Sequence, residues 1–195
     1  TIPICVENGK AVNPADIEAA LKKTPGITAV FTTQCETSTG VVHDIKSISP
    51  LVKKYGALMI VDSITGIGVH QFLMDEWNID VAITGSQKGC MMPPGLAFVC
   101  VNSSAWGVIE KADLPRYYWD FRKMRKDLKD KTTPFTPAVS LVMAMKTAMD
   151  MVKKEGLENV WKRHARLAHA TREGAKALGL ELFAGEYASN VLTAI

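Results

Sequence analysis

The sequence is short of several features that would assign a protein at sight. Its four cysteines, Cys5, Cys35, Cys90 and Cys100, include no CxxC pair. No stretch reads as a secretory signal, so a disulfide framework is not expected and a reduced, cytoplasmic setting is. The histidines His43, His70, His164 and His169 are scattered. His164 and His169, the nearest pair, would point in different directions on a helix, so no metal site is expected. The longest apolar stretches are strand-sized and interrupted by Asp62, Lys88 or glycine, so none can cross a bilayer. Charge of neither sign dominates: 23 Lys and Arg against 20 Asp and Glu leave a formal net charge of +3, too mild to imply a nucleic-acid or membrane surface. Phosphate-binding glycine motifs are missing too. There is no P-loop, and Thr65-Gly66-Ile67-Gly68 lacks the third glycine of a dinucleotide fingerprint.

What is present is ordinary globular material. The 195 residues are 47% hydrophobic and 22% charged, enough to build a core of one domain, or of one domain and a piece of another. Asn13-Pro14 predicts a helix start, with Ile17 and Leu21 on its apolar face and Pro25-Gly26 ending it. Ala29–Thr33 reads as a buried strand, Asp44–Tyr55 as a helix stopped at Gly56, and Leu58–Val61 as a second strand. Ile79–Thr84 and Leu96–Val101 follow as strands, with Pro93-Pro94-Gly95 turning the chain between them. Strand–helix–strand crossovers of this length predict an α/β fold with a mostly parallel sheet and flanking helices. Beyond Pro137 the pattern changes to two long helices, closed by Gly156 and Gly179, then two short strands, Leu180–Phe183 and Val191–Ala194. We therefore divide the chain into residues 1–150, part of a large domain, and 151–195, a linking helix and the start of a small α+β domain.

Ligands of open parallel sheets gather outside the carboxyl ends of the strands, where loops and helix N-termini converge. Three polar runs fall there: Gln34 to Gly40, Asp62 to Gly66 and Gly85 to Gly89. Asp62 closes an apolar run, where a carboxylate is costly unless a cation or several donors meet it; as a lone strand-end residue it also fits a helix cap or a surface ion pair. Lys88 lies among Ser, Gln and Gly, where a bulky cation has no packing role, and a lone lysine there fits a solvated loop. Together, at adjacent strand ends, they supply what pyridoxal 5'-phosphate chemistry requires: an acid to hold a ring nitrogen protonated and a lysine to form a Schiff base.

With these residues the sequence resembles the class V aminotransferases, in the alanine-glyoxylate and serine-pyruvate (serine-glyoxylate) group. Three motifs carry the likeness, in the family's order: Glu36-Thr37-Ser38-Thr39-Gly40-Val41, Val61-Asp62-Ser63-Ile64-Thr65-Gly66, and Gly85-Ser86-Gln87-Lys88-Gly89 followed by Pro93-Pro94-Gly95. Pro134 to Leu141 and Glu155-Gly156-Leu157 extend it over nearly the whole chain. The resemblance implies a fold type I transferase that passes an amino group from alanine or serine to glyoxylate or pyruvate. It implies Lys88 as the Schiff-base lysine, Asp62 at the pyridinium nitrogen, Thr37 near the phenolic oxygen, Ile64 against the ring face and Gln87 at the phosphate. It further implies a homodimer in which Thr132 to Thr136, with Thr136 as the site residue, reach the partner's phosphate site. The family's N-terminal phosphate loop and C-terminal carboxylate-clamping arginine have no counterpart here, so a fragment of a longer enzyme is expected.

Related readings stay open. Cysteine desulfurases use the same Asp and Lys with a reactive cysteine on a mobile loop; Cys35 and Cys90 flank the site but read as packing residues. A phosphonate-amine transaminase fits the same motifs, and a noncatalytic folded fragment fits the missing parts. Arg116 to Lys126 interleaves aromatic and basic residues as single-strand nucleic-acid binders do. Asp113, Asp120, Asp127 and Asp130 dilute that charge, so a solvated helix or a subunit interface is expected there instead.

Overall fold

A computed structural model describes residues 1–195. After α1 (Pro14–Lys23) the chain enters β1 (Ala29–Thr33), then α2 (Ile45–Lys54) and β2 (Leu58–Asp62). β3 (Val81–Gly85) and β4 (Ala97–Val101) complete a four-stranded sheet in the order β1-β2-β3-β4. β1, β2 and β3 are parallel, with Thr33 paired to Asp62 and Asp62 to Ile83, so their carboxyl ends reach one edge. β4 runs antiparallel to β3. The connection is too short for a crossover helix. Ser86 closes it instead, its amide donating to the Leu96 carbonyl at 3.0 Å and its hydroxyl to the Pro93 carbonyl at 2.7 Å.

The first two helices form where the sequence predicts. Asn13 caps α1 by accepting the Ala15 amide, with Pro14 at the first position, and Asp44 caps α2 by accepting the Ser47 amide at 3.1 Å. Both lie on one face of the sheet. Ile17 and Leu21 from α1 and Ile45, Ile48 and Val52 from α2 meet Met59, Val61 and Ala82 in a continuous core. Side chains alternate along a strand, so Phe31, Ile60, Ile83 and Val99 share the opposite face. That face is open toward the sheet's outer strands, with Phe31 76% and Val99 38% exposed, while Val81 at its centre is buried. The strands read as fully buried because they are apolar on both sides, yet helices cover only one.

Asp80 anchors this half. It is fully buried and accepts from Lys53 Nζ of α2 at 2.7 and 2.9 Å, the Met59 amide at 2.7 Å and Asn102 Nδ2 at 2.9 Å. One carboxylate thus joins α2, β2 and the end of β4.

The later chain carries α3 (Ser103–Ile109), capped by Asn102, and α4 (Phe121–Lys129), capped by Asp120. α5 (Val139–Glu155) and α6 (Leu157–Ala177) meet at Gly156, whose φ of 85° lets the chain turn without a Cβ penalty. These last two helices match the sequence pattern, and α3 was not foreseen. The two C-terminal strands do not form. Around a 3-10 turn at Gly185–Tyr187, only the Phe183 amide bonds the Ala194 carbonyl, at 3.0 Å. The Ser189 amide goes instead to the Gly40 carbonyl, at 2.8 Å, and Ala188 bridges Val41. A strand needs a row of paired groups, and this segment spends its backbone on the turn after β1. No helix is long and apolar enough to cross a membrane.

Replacing Asp80 with alanine removes an ion pair and two further hydrogen bonds from a dry site. The expected loss is about 3 kcal/mol, somewhat reduced because the Lys53 end is partly solvated. Urea unfolding checks it: the midpoint falls while the slope with denaturant stays as in the parent chain.

Candidate active site

Asp62 is the last residue of β2 and sits half-buried on the open face of the sheet. Its Oδ1 accepts the Ile64 amide at 2.9 Å, which turns the chain sharply and orients the carboxylate. Thr37, exposed in the turn after β1, shares a hydrogen bond of 2.6 Å with the buried Thr65, so the loops leaving β1 and β2 meet through two hydroxyls. Two residues beyond the end of β3 stands Gln87, exposed, its side chain folded over Gly85. Lys88 follows, half-buried. No ion pair engages Lys88 or Asp62.

Backbone closeness holds the β2 and β3 exits together. Gly68, at φ 90°, lies against Gly89; a Cβ there would stand 2.9 Å from the Gly89 carbonyl oxygen. Larger residues cannot occupy either position without moving the loop that follows Lys88. Beneath the loops lies a set of buried polar side chains. Ser63 donates a short hydrogen bond to Gln34 Oε1, and Gln34 Nε2 donates to the Gln71 carbonyl at 3.1 Å. Cys35 Sγ and His70 Nε2 both contact Ser189 Oγ, at 3.2 and 3.0 Å. Burial pushes the Cys35 thiol up, the hydrogen bond with Ser189 and, last, the Lys88 ammonium opposing the rise; burial also raises Cys90. His70 is held down to about 4 by burial, with His164 and Arg172 adding repulsion.

Asp62, Ile64, Gln87 and Lys88 thus emerge from neighbouring strand ends on one edge, joined there by Thr37. Thr136 does not join them: it is exposed in the turn before α5 and makes no hydrogen bond to that group. Gln34, Ser63, Thr65, His70 and Ser189 carry no assignment from sequence. A buried polar residue directly after an apolar run, as at Gln34 and Ser63, was the available signal. A cleft of ≈ 700 Å³ lies away from this edge, between the N-terminal segment and β1, lined by Ile2, Ile4, Val30 and Phe31 among others. The strand-end residues form an open shelf. No three His, Cys, Asp or Glu side chains group as metal ligands would. The aromatic-basic segment is internally engaged: Lys123 lies 4.6 Å from the Phe135 ring centroid, Tyr118 stacks on Phe135 at 4.6 Å, and Asp120 pairs with Arg122 at 3.2 Å.

A parallel sheet whose polar loops converge at its carboxyl edge, around a free lysine and a free carboxylate, defines an α/β protein suited to hold a small molecule there. Residues 3–193 match the family described as aminotransferase class-V, and the chain belongs to that family, which implies pyridoxal phosphate as its cofactor. It is 48% identical over 192 residues to the "Soluble hydrogenase, small subunit" of Synechococcus sp. (strain PCC 6716), covering 96% of this chain and 50% of that protein. It is 38% identical over 200 residues to the serine–glyoxylate aminotransferase of Methylorubrum extorquens, covering 97% and 50%. Among solved structures, pyridoxamine-pyruvate aminotransferase from Mesorhizobium loti superposes with a TM-score of 0.91 at 34% identity, over 96% of this chain and 49% of that one. The chain spans about half the length of the relatives it matches.

The depressed His70 makes stability depend on pH. Between about 4 and the ordinary 6.5 the unfolded chain binds a proton here that the folded chain does not. The stabilisation from neutral His70 is complete above pH 6.5 and is lost as pH falls through about 4, a contribution of at most ~3 kcal/mol. Denaturant midpoints measured from pH 7 to 4 are expected to fall more steeply for the parent chain than for His70→Gln. Parallel curves would assign the acid loss to other groups.

Proposed function

We propose that the chain is the cofactor-binding portion of a pyridoxal 5'-phosphate-dependent transaminase, moving an amino group between a small amino acid, alanine or serine, and a 2-oxo acid, glyoxylate or pyruvate. The observation that carries this reading is the placement of Asp62 and Lys88 at the exits of adjacent parallel strands, neither spent on an ion pair. The donor set fits the group: one carboxylate aimed by a backbone amide, one amine without a counter-ion, one exposed amide side chain, and a hydroxyl oriented by its neighbour. When bound, pyridoxal phosphate supplies a protonated ring that takes up negative charge from the amino acid's α-carbon.

Asp62 keeps the proton on the ring nitrogen, and the Ile64 amide holds the carboxylate in place for it. Lys88 Nζ anchors the group, then moves the proton away from the substrate α-carbon. Thr37 Oγ1, oriented by Thr65, meets the phenolic oxygen, Ile64 packs against the ring face, and Gln87 donates to the phosphate. Thr136 serves the phosphate site of a second subunit, which suits its exposure and its lack of a hydrogen bond to the strand-end residues. The working enzyme in this reading is a homodimer, cytoplasmic, with residues 1–150 in its large domain and 151–195 opening its small one. The open apolar face of the sheet fits the packing of the remaining half of a family-length chain. Buried, upward-shifted Cys35 and Cys90 favour transamination over the desulfurase reading, which needs an accessible thiolate.

Pyridoxal phosphate added to the chain is expected to give a near-visible absorption band and, after borohydride, a covalent adduct that peptide mass mapping places on Lys88. Should Lys88→Ala bind and absorb as the parent does, the assignment is wrong. Asp62→Asn in a family-length, active chain is expected to keep the fold by circular dichroism and lower the amino-transfer rate on the order of a hundredfold. Unchanged turnover would remove Asp62 from its role.

A further inference from the structure

One buried cluster is not used by this chemistry. Ser189 is fully buried in the C-terminal segment, between the loops leaving β1 and β2. Its hydrogen bonding is complete. The Asn190 amide donates to His70 Nε2 at 3.2 Å, so that nitrogen carries no proton. The Ser189 hydroxyl, 3.0 Å from the same nitrogen, is therefore the donor of that pair. Ser189 Oγ in turn accepts the Cys35 thiol at 3.2 Å and the Val191 amide at 2.9 Å. Arg172 of α6 donates to the Ser189 carbonyl at 2.8 Å, fastening the segment from behind.

This cluster reaches the candidate site along two short paths. Cys35 lies two residues before Thr37. His70 closes the loop that begins at Asp62: its amide returns to the Gly66 carbonyl at 2.9 Å, and Gly68 in between lies against Gly89, the residue after Lys88. Apolar side chains would fill the same space without the desolvation of a thiol, a hydroxyl and an imidazole. A polar set whose thiol, hydroxyl and ring Nε2 are all engaged restricts the contact to one arrangement.

We propose that Ser189 and His70 are positioning residues: together they lock the Asp62–His70 loop between the exits of β1 and β3, and so hold Thr37, Asp62 and Lys88 in convergent places for the cofactor. This rests on the cofactor reading above for its purpose, but the lock itself is measurable without any ligand. In the cofactor-free chain, amide hydrogen exchange at Ile64 and Gly66 is expected to speed up about five- to tenfold in Ser189→Ala and His70→Leu, the effect of losing a hydrogen bond or two. Exchange at Met59 and Val61 in the core is expected to stay as in the parent. His70→Gln, which keeps an acceptor for the Asn190 amide, is expected to restore slow exchange. Titration with pyridoxal phosphate, read by its near-visible band, is expected to show affinity falling by a similar factor in Ser189→Ala and His70→Leu and recovering in His70→Gln.

Loop exchange unchanged in Ser189→Ala and His70→Leu overturns the proposal, as does equal acceleration of loop and core amides, which would mark general packing. Equal damage from His70→Gln overturns the role of the acceptor. If the parent chain forms no trappable adduct at Lys88, the cofactor reading fails, while the exchange measurements still decide whether the lock exists.

Discussion

Because β1, β2 and β3 are parallel, each must hand the chain off at the same edge of the sheet, and everything chemical about this protein follows from that constraint. Three loops are forced into one place, and their backbones compete for it. The competition is resolved by glycines, Gly68 against Gly89 above all, and by short hydrogen bonds between side chains of different loops, as between Thr37 and Thr65. The antiparallel β4 adds no fourth exit there; it widens the sheet and lets Asp80 reach Asn102. Asp80 acts at the opposite end, where the strands begin, so the buried ion pair lies at one edge and the unpaired Asp62 and Lys88 at the other.

Much of this architecture was legible in the residues. Ile17, Leu21, Ile45, Ile48 and Val52 follow helical spacing, and each packs in the core. The glycine and proline stops at Pro25-Gly26, Gly56 and Gly156 hold to within a residue or two. Asp62 stood out because it closes an apolar run, and Lys88 because a bulky cation among Ser, Gln and Gly has no packing role. What stayed hidden was long-range. The direction of β4 depends on Ser86 folding a connection whose sequence reads only as a turn. The fate of Leu180–Phe183 and Val191–Ala194 depends on which partner their amides find, and Gly40 lies far away along the chain. Ser189 and His70 are isolated letters in the sequence, far apart, and only the folded chain brings them within 3.0 Å.

The open face of the sheet carries a related lesson. Apolar residues at successive strand positions read as burial on both sides, and for Met59, Val61 and Ala82 this is correct. Phe31 and Val99 carry the same signal and lie in the open. The sequence pattern of a strand reports the environment for which the strand is suited, and these strands are suited to a sheet with two covered faces. A chain spanning half of its relatives' length meets that requirement on one side.

The treatment of charge separates structural groups from functional ones. Where this chain places a charge for stability, it pairs it: Lys53 with Asp80 at 2.7 Å, Arg163 with Glu155 at 2.6 Å, Arg122 with Asp120 at 3.2 Å. At the carboxyl edge the rule is reversed. Lys88 has no counter-ion, and Asp62 has a single amide for its orientation and none of the chain's cations within reach of a salt bridge. Both are half-buried, so each forfeits hydration without gaining an ion-pair partner. If folding alone set the choice of residue, an apolar or small neutral side chain would serve better at either place. Two opposite charges held at adjacent strand exits and left unpaired are instead free to meet groups of opposite character on a third body. That contrast fits a shelf that is polar and open above a layer of buried, mutually hydrogen-bonded side chains.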